Sequence, residues 1–383
     1  MNIGIDARMY GPRVGGGGLG RYVEELVKEL QAIDHKNRYV LFLKKENFDT
    51  CVITNPNFEK RLADVHWYTL EEQIKLGRII DRERLDLVHF PHWNVPLFLR
   101  TPFVVTIHDL ILLDEPYSAK ISTRHPWIFA VKYFVYKYVL ACAIFRAKKI
   151  IAVSNATKNS LKQHFKKLNP KKIDVVYEGV TAFSEMVDLA LDHPLTPSFS
   201  RRGDLQPYLL YVGNAFPHKN LECLLEAFTL LRQTHPDVKL ILAGHESVFY
   251  NRLLETSKNS TSVAFYKNPT DKKLENLYRN ATIFVYPSRR EGFGLPPLEA
   301  MSFGVPVIAS DIPSLREILG DAAVFFPPND ASHLTSVLSD LLVQPKKRTE
   351  LIQKGFAQIK HYSWQKMANS IQTIYETCEK KTP

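Results

Sequence analysis

Cysteine is scarce in this chain of 383 residues: there are four, Cys51, Cys142, Cys223 and Cys378, and no two are spaced as a C-x-x-C pair. That excludes a zinc ribbon, a thioredoxin-like redox motif and a disulfide framework, and it suits a reducing cytoplasm. Long uncharged apolar runs are missing as well. The most apolar stretch, Trp127 to Phe145, is interrupted by Lys132 and Lys137, so it falls short of the roughly 18 uninterrupted apolar residues of a membrane span. The opening Met-Asn-Ile-Gly-Ile reaches Asp6 and Arg8 too soon for a signal peptide, and none is expected. Acid is absent from one long segment: residues 116–173 hold 13 Lys or Arg and no Asp or Glu.

What is present is ordinary for a globular protein, with 45% hydrophobic and 23% charged residues, and excludes a disordered or collagen-like chain. At roughly 150 residues per domain the length predicts two or three domains. The net charge of +10 asks for an anionic partner: nucleic acid, an acidic membrane surface or a phosphorylated substrate. Because the excess is spread, +6 over residues 1–200 and +4 over 201–383, and no nucleic-acid motif occurs, nucleic acid is not expected. In the acid-free segment Tyr133, Phe134, Tyr136, Tyr138 and Phe145 interleave with Lys132, Lys137 and Arg146. That pattern fits a basic amphipathic face on anionic lipid, or equally a buried aromatic helix with solvated lysines.

Short apolar runs alternate with helical periodicity twice along the chain. Ile3–Ala7, Tyr39–Leu43, Leu85–Phe90, Pro102–Ile107, Lys149–Val153 and Ile173–Tyr177 read as strands of a first half. Residues 181–206 lose the rhythm and read as a linker. Tyr208–Val212, Lys239–Ala243, Val263–Phe265, Thr282–Tyr286, Val307–Ala309 and Ala323–Phe326 read as strands of a second half, with helices at 221–231, 274–279, 297–303, 331–343 and 347–378. Continuous apolar strands between helices predict buried parallel sheets, with ligands at the carboxyl ends of the strands. Two such domains make the inter-domain cleft the expected site.

Five motifs carry chemistry. Glu291-Gly-Phe-Gly-Leu-Pro-Pro-Leu-Glu299 follows an apolar strand; Gly292 and Gly294 permit a tight turn, and Pro296 and Pro297 suit a helix start whose N–H groups and dipole favour an anion. Two glutamates eight residues apart can hold two sets of ligand hydroxyls, or be merely solvated. In Gly213-Asn214-Ala-Phe-Pro-His218-Lys219-Asn220 a lysine stands at a helix entrance, suited to a diphosphate, with Asn220 expected as N-cap. Gly15–Gly18 and Gly20 read as a flexible loop over a cleft rather than a dinucleotide fingerprint; the amides of Gly16, Gly17 and Gly18 can meet a phosphate or shape an acceptor pocket. His108 ends a buried strand, where it can hydrogen-bond a reacting sugar or exchange a proton. His89 and His92 flank Pro91 and lack a third ligand for metal, so acceptor-site or packing roles are expected.

Taken in order, Gly20-Arg-Tyr22, Thr106-Ile-His-Asp-Leu110, Ile151-Ala-Val-Ser154, Tyr177-Glu-Gly-Val180, the 212–220 loop, the E-x7-E element and Gly304-Val-Pro-Val-Ile-Ala-Ser310 resemble the retaining glycosyltransferases of family 4, in particular the bacterial mannosyltransferase-like group. The resemblance implies the GT-B fold: an α/β protein of two Rossmann-like, doubly wound parallel-sheet domains facing a cleft. It implies an acceptor domain at 1–180, a linker at 181–206, a nucleotide-sugar domain at 207–365 and a helix at 366–383 crossing back to the first domain. By the same resemblance Glu299 holds ribose hydroxyls and Glu291 lies near the transferred sugar. The amides of Gly292, Phe293, Gly294 and Leu295 contact sugar and phosphate. Lys219, with Gly213, Asn214 and His218 around it, stabilises the diphosphate, and His108 stands over the sugar. The implied substrates are a nucleotide sugar, with GDP-mannose preferred and UDP-glucose or UDP-N-acetylglucosamine open, and a glycan or lipid-linked acceptor. An enzyme in the cytoplasm is implied, peripheral to the inner face of a membrane through 116–173. A basic nucleic-acid- or membrane-binding protein without catalysis is the rival of another class.

The chain departs from the family pattern in two places. Asn214 stands where many members carry arginine, which leaves His218, Arg289 or Arg290 to supply charge, and Glu178 stands where asparagine is common. No D-x-D triplet occurs, which agrees with transfer that needs neither metal nor cofactor.

Overall fold

A computed structural model describes residues 1–116, 126–180, 206–256 and 261–379. The described chain divides into two compact units: one holds 1–114, 126–179 and 363–379, the other 115–116, 180, 206–256 and 261–362. The expected linker lies, but for Gln206, outside the described residues.

The first unit is built on a seven-stranded parallel sheet in the order β3-β2-β1-β4-β5-β6-β7. These are β1 (Asn2–Asp6), β2 (Arg38–Leu43), β3 (Phe58–Leu62), β4 (Leu87–Phe90), β5 (Phe103–Ile107), β6 (Lys149–Ala152) and β7 (Ile173–Val175). The second unit has six parallel strands in the order β10-β9-β8-β11-β12-β13. They are β8 (Tyr208–Val212), β9 (Lys239–Gly244), β10 (Val263–Lys267), β11 (Ile283–Tyr286), β12 (Val307–Ser310) and β13 (Ala323–Phe326). Central strands such as β5 are buried at every residue, which is why they read as unbroken apolar runs rather than alternating ones. Each sheet reverses its winding once, between β1 and β4 and between β8 and β11. Open sheets of this kind bind ligands beyond the carboxyl ends of the strands at that reversal.

Three elements differ from the sequence expectation. Strand β3, Phe-Glu-Lys-Arg-Leu, pairs only with β2; an edge strand tolerates charge on its open side, so its apolar signal is weak. The helical stretch expected over 347–378 is two helices, Pro345–Ile359 and Trp364–Thr377. The second starts where the Ser363 side chain accepts from the Lys366 amide, as an N-cap does. It belongs to the first unit: Met367, Ile371, Ile374 and Tyr375 are buried, and the helix packs on Gly18–Ile33. The division between units therefore falls at 362/363, three residues before the expected 366.

The third difference is the aromatic stretch. Lys132 and Lys137 do break the uncharged run, yet Pro126–Arg146 is one continuous helix, and with both lysines counted it is still the one described helix long and apolar enough to cross a membrane. One face, with Tyr136, Leu140, Ala143 and Ile144, joins the core of the first unit.

Candidate active site

In the second unit, the loop after β8 and the loop after β11 meet at the sheet reversal. The Lys219 ammonium donates to Glu291 Oε1 at 2.5 Å and to the Tyr286 hydroxyl at 3.2 Å, with both charged side chains about nine-tenths buried. Burial by itself pushes a carboxyl pKa up; here Lys219 beside it outweighs burial, and Glu291 is held below the ordinary value. The Tyr286 phenol is pushed well above its ordinary range by burial and by the Glu291 charge. Two sequence-distant residues expected at the site are thus brought into one hydrogen-bonded ion pair.

The loop that presents Lys219 is locked by its neighbours. Gly213 stands at φ 153°, and a Cβ there would lie 2.6 Å from the Tyr211 hydroxyl, which itself donates to Asn214 O. Asn220 sits at the start of the Leu221–Leu231 helix, but in a left-handed conformation and without a capping bond. Its amide nitrogen donates instead to Pro287 O at 3.1 Å and to Pro328 O, so the expected N-cap is a tie between the β8 and β11 loops. Arg289 reinforces that tie, its amide donating to His218 O and its guanidinium to Pro217 O, both at 2.7 Å. His218 cannot serve as the fixed charge considered for it: burial first, then the charge of Lys219, lower its pKa to about 4, leaving it neutral near pH 7. Its Nδ1 and the Arg289 Nε are buried with no partner among the described residues, polar atoms of the kind a bound ligand satisfies.

Beyond Glu291 the chain turns through buried Gly292 and Phe293 to Gly294, at φ 97°, and enters the Leu295–Ser302 helix. The left-handed turn favours glycine, and a Cβ there would also press on Leu315 at 2.8 Å. Pro296 and Pro297 occupy the first turn, so of its first four residues only Leu295 and Leu298 bring an N–H. The anion-binding capacity of this helix start is correspondingly narrow. Glu299, on the same helix, accepts from the Tyr278 hydroxyl at 2.9 Å; Tyr278 stacks on Phe303, which fixes that phenol.

In the first unit, His108 follows β5. Its Nδ1 lies 2.8 Å from Glu178 Oε1 and its Nε2 lies 2.9 Å from Pro91 O. Carboxylate and carbonyl are both acceptors, so both bonds form only when the ring carries both protons. Burial acts to lower the pKa of His108, but the Glu178 carboxylate and the Pro91 carbonyl outweigh it and the pKa is raised. Glu178, which stands where asparagine is common in the family, is the buried partner of His108. His89 is different. Its two ring nitrogens face the hydroxyls of Tyr375 (2.6 Å) and Thr106 (2.8 Å), and burial, helped by His108, lowers its pKa to about 3. It is a packed, neutral histidine, as is His92, lowered to about 3 by the same causes.

The glycine segment is more ordered than a flexible loop. Pro12–Gly15 makes one helical turn, and the long helix Gly18–Ile33 already begins within the glycines. Gly16 and Gly17 stand at φ 75° and 64°, while a Cβ on Gly15 or Gly20 would meet Met9 O or Gly11 O at 2.1 and 2.2 Å. Beside it lies a cluster that sequence reading missed. Arg8, 1% exposed, binds Asp6 through two nitrogens at 2.8 Å and Glu72 at 2.6 Å, and Asn94 donates to the same Glu72 oxygen. Glu72 lies in a stretch without strong apolar period, so nothing local marked it.

Two parallel-sheet units, with charged side chains gathered at the reversal of the second sheet, have the architecture of open α/β sheets that bind ligands beyond their strand ends, and comparison with known proteins makes the class definite. The profile described as Glycosyltransferase Family 4 matches residues 16–182, and that described as Glycosyl transferases group 1 matches residues 197–358. The chain belongs to glycosyltransferase family 4, with the GT-B fold, and is a glycosyltransferase of the mannosyltransferase-like group. It is 28% identical over 379 residues to O-antigen chain mannosyltransferase B of Escherichia coli, covering 94% of this chain and 96% of that one. Among solved structures it resembles sucrose-phosphate synthase from Thermosynechococcus elongatus (TM-score 0.75, 19% identity, 98% of both chains). It also resembles Anabaena HepE in complex with UDP and glucose (TM-score 0.72, 16% identity, 98% and 99%).

Proposed function

We propose that the protein transfers a hexose, mannose from GDP-mannose in the first instance, to a hydroxyl of a glycan or lipid-linked acceptor, with retention of anomeric configuration and without a metal. The buried Lys219–Glu291 pair at the β8/β11 reversal carries this reading. A diphosphate is satisfied there by the Lys219 ammonium and by the amides around Gly294, which take the role a divalent ion plays in other transferases. Glu299, oriented by Tyr278, is the acceptor for ribose hydroxyls. Glu291, kept ionised by Lys219, accepts hydrogen bonds from the hydroxyls of the sugar. The orphaned His218 Nδ1 and Arg289 Nε border the same loop and suit the donor's oxygens.

In the reaction the bond between the anomeric carbon and the diphosphate oxygen breaks, and the acceptor oxygen bonds to that carbon on the same face. The acceptor proton passes to the departing phosphate oxygen. His108 is the histidine that stands over the sugar, and the amides of Gly16, Gly17 and Gly18 meet a phosphate or shape the acceptor pocket. Support for mannose comes from the O-antigen mannosyltransferase of E. coli, and support for a nucleotide-sugar donor from the HepE complexes with UDP and UDP-glucose.

The test is a panel of GDP-mannose, UDP-glucose and UDP-N-acetylglucosamine, read by thermal shift and by released nucleotide, with Glu299→Ala beside the wild type. GDP-mannose is expected to stabilise and to be slowly hydrolysed by the wild type only. A UDP sugar doing so instead overturns the choice of donor, and no effect of any donor overturns the site.

A further inference from the structure

Tyr68 stands at φ 62°, a left-handed backbone that a bulky aromatic residue adopts only under strain. Buried groups hold it there. The Tyr68 amide donates to Glu72 Oε2 at 2.8 Å, and the other oxygen of Glu72 accepts from Arg8 and Asn94. Glu72 opens a π-helical stretch, Glu72–Leu76, a geometry often found at functional sites. The strain fixes one ring. Tyr68 stacks on Trp93, with ring centres 5.3 Å and planes 23° apart, and Trp93 stands edge-on against the buried Tyr136 at 4.8 Å. Backed in this way, Tyr68 is still 55% exposed. A ring strained for packing alone would be covered, and this one is open. His92 meets its edge at 6.0 Å, and the His92 Nδ1 is buried with no partner among the described residues. His92 and Trp93 follow β4, one of the two strands between which the first sheet reverses its winding, where open sheets take their ligands.

We propose that Tyr68, backed by Trp93, is a stacking platform for a neutral pyranose ring, so that the acceptor ends in a sugar and not in a phosphate. This rests on the reading of the first unit as the one that takes the acceptor. The C–H groups on one face of a pyranose carry partial positive charge and pack flat on the electron-rich face of a phenol ring. The hydroxyls around that ring call for uncharged partners. The Tyr68 hydroxyl is one, and the imidazole of His92, kept neutral by burial, is another. A phosphate calls for a cation instead, and Arg8 and Lys44 beside this loop are committed. Arg8 is held by Asp6 and Glu72, and Lys44, which lies over the ring of the neighbouring Trp67, pairs with Glu46. The buried Asp6–Arg8–Glu72–Asn94 cluster thereby gains a purpose: it holds the loop that carries the platform.

Saturation-transfer NMR of the full-length protein with α-mannobiose, maltose and chitobiose, beside dodecyl phosphate, tests it without any donor present. At least one disaccharide is expected to bind the wild type, with transfer strongest on the ring C–H protons of its terminal residue. Tyr68→Phe keeps the ring and is expected to bind within about fivefold of the wild type. Tyr68→Gly, which fits φ 62° freely, is expected to bind about tenfold more weakly with an undiminished urea midpoint, because released strain offsets the lost stacking. A tyrosine that served structure alone would do the reverse, lowering the midpoint and leaving sugar binding unchanged, and that result overturns the proposal. So does a wild type that binds none of the disaccharides, or a Tyr68→Gly variant that loses dodecyl phosphate and no sugar. The donor reading is followed separately. The thermal shift with GDP-mannose should be equal in wild type and Tyr68→Gly; its absence from both overturns the donor assignment, while the sugar arm still decides the platform.

Discussion

Lys219 and Glu291 are each other's nearest charge, and this governs what substitution does at either position. A buried pair broken on one side leaves an unpaired charge, which costs about 3–5 kcal/mol, whereas replacing both partners is far milder. Lys219→Met is therefore expected to unfold at lower urea than Lys219→Met/Glu291→Leu, an order that equilibrium unfolding reads directly. For turnover the order differs: either single change and the double change should each lower kcat by about 10²–10³-fold. Stability recovered without activity is the signature of a pair that serves binding.

His108 yields a second prediction at the same scale. Its pKa is raised in the folded chain, so its protonated form contributes stability in full below the ordinary histidine value of 6.5, and that contribution fades as pH rises through the raised value. The groups facing it are Glu178, Asp109, His89, His92 and the edge of Tyr22. His89 and His92, with lowered pKa values, act in the opposite sense: their contributions are present above 6.5 and are lost as pH falls towards about 3. The difference between wild type and Glu178→Gln isolates the first effect. The ring nitrogens of His108, followed by NMR, should lose their second proton at lower pH in the variant; an unchanged midpoint would show that Glu178 does not hold the imidazolium.

Among elements, the C-terminal helix Trp364–Thr377 is tied into the first unit by a chain of buried groups: Tyr375 hydroxyl, His89 ring, Thr106 hydroxyl and Tyr22 hydroxyl, each within 3.1 Å of the next. Tyr375→Phe leaves one His89 nitrogen buried and unpaired, an expected loss of about 1–3 kcal/mol in urea unfolding. Gly179 belongs to the same junction. A Cβ there would fall 2.2 Å from the Trp364 backbone nitrogen, so Gly179→Ala should displace the helix entry and destabilise more than Tyr375→Phe does. That contact explains the glycine of Tyr177-Glu-Gly-Val180, which as sequence is only a motif. Most central strands were legible to within a residue or two because both of their faces are covered. Strand β3 and the break at 360–363 were not, since one is an open edge and the other depends on a serine cap inside a stretch of continuous helical period.

For the whole molecule, two units each with its own sheet should lose structure by separate routes. Ending the chain after Tyr362 removes Met367, Ile371, Ile374 and Tyr375 from the first unit and nothing from the core of the second. Amide exchange in Gly18–Ile33 and β4 should then accelerate, while β8 and β11 keep their protection. Equal loss in both sheets would mean that the helix serves the two units alike.

The sequence by itself determined the class of fold, two successive parallel-sheet domains, because unbroken apolar strands between amphipathic helices admit little else. It also determined the family, and it marked Lys219, Glu291, Glu299 and His108 by their places after strands. Tertiary structure alone decided the partnerships: Lys219 with Glu291 across 72 residues, His108 with Glu178 across 70, Arg8 with Glu72 across 64. It also decided that Asn220 ties two loops rather than capping a helix, and that the aromatic helix keeps one face in the core and one outside. The physical reason is that periodicity and turn chemistry are local, whereas the charge state and orientation of a buried side chain are set by groups that only the folded sheet brings beside it.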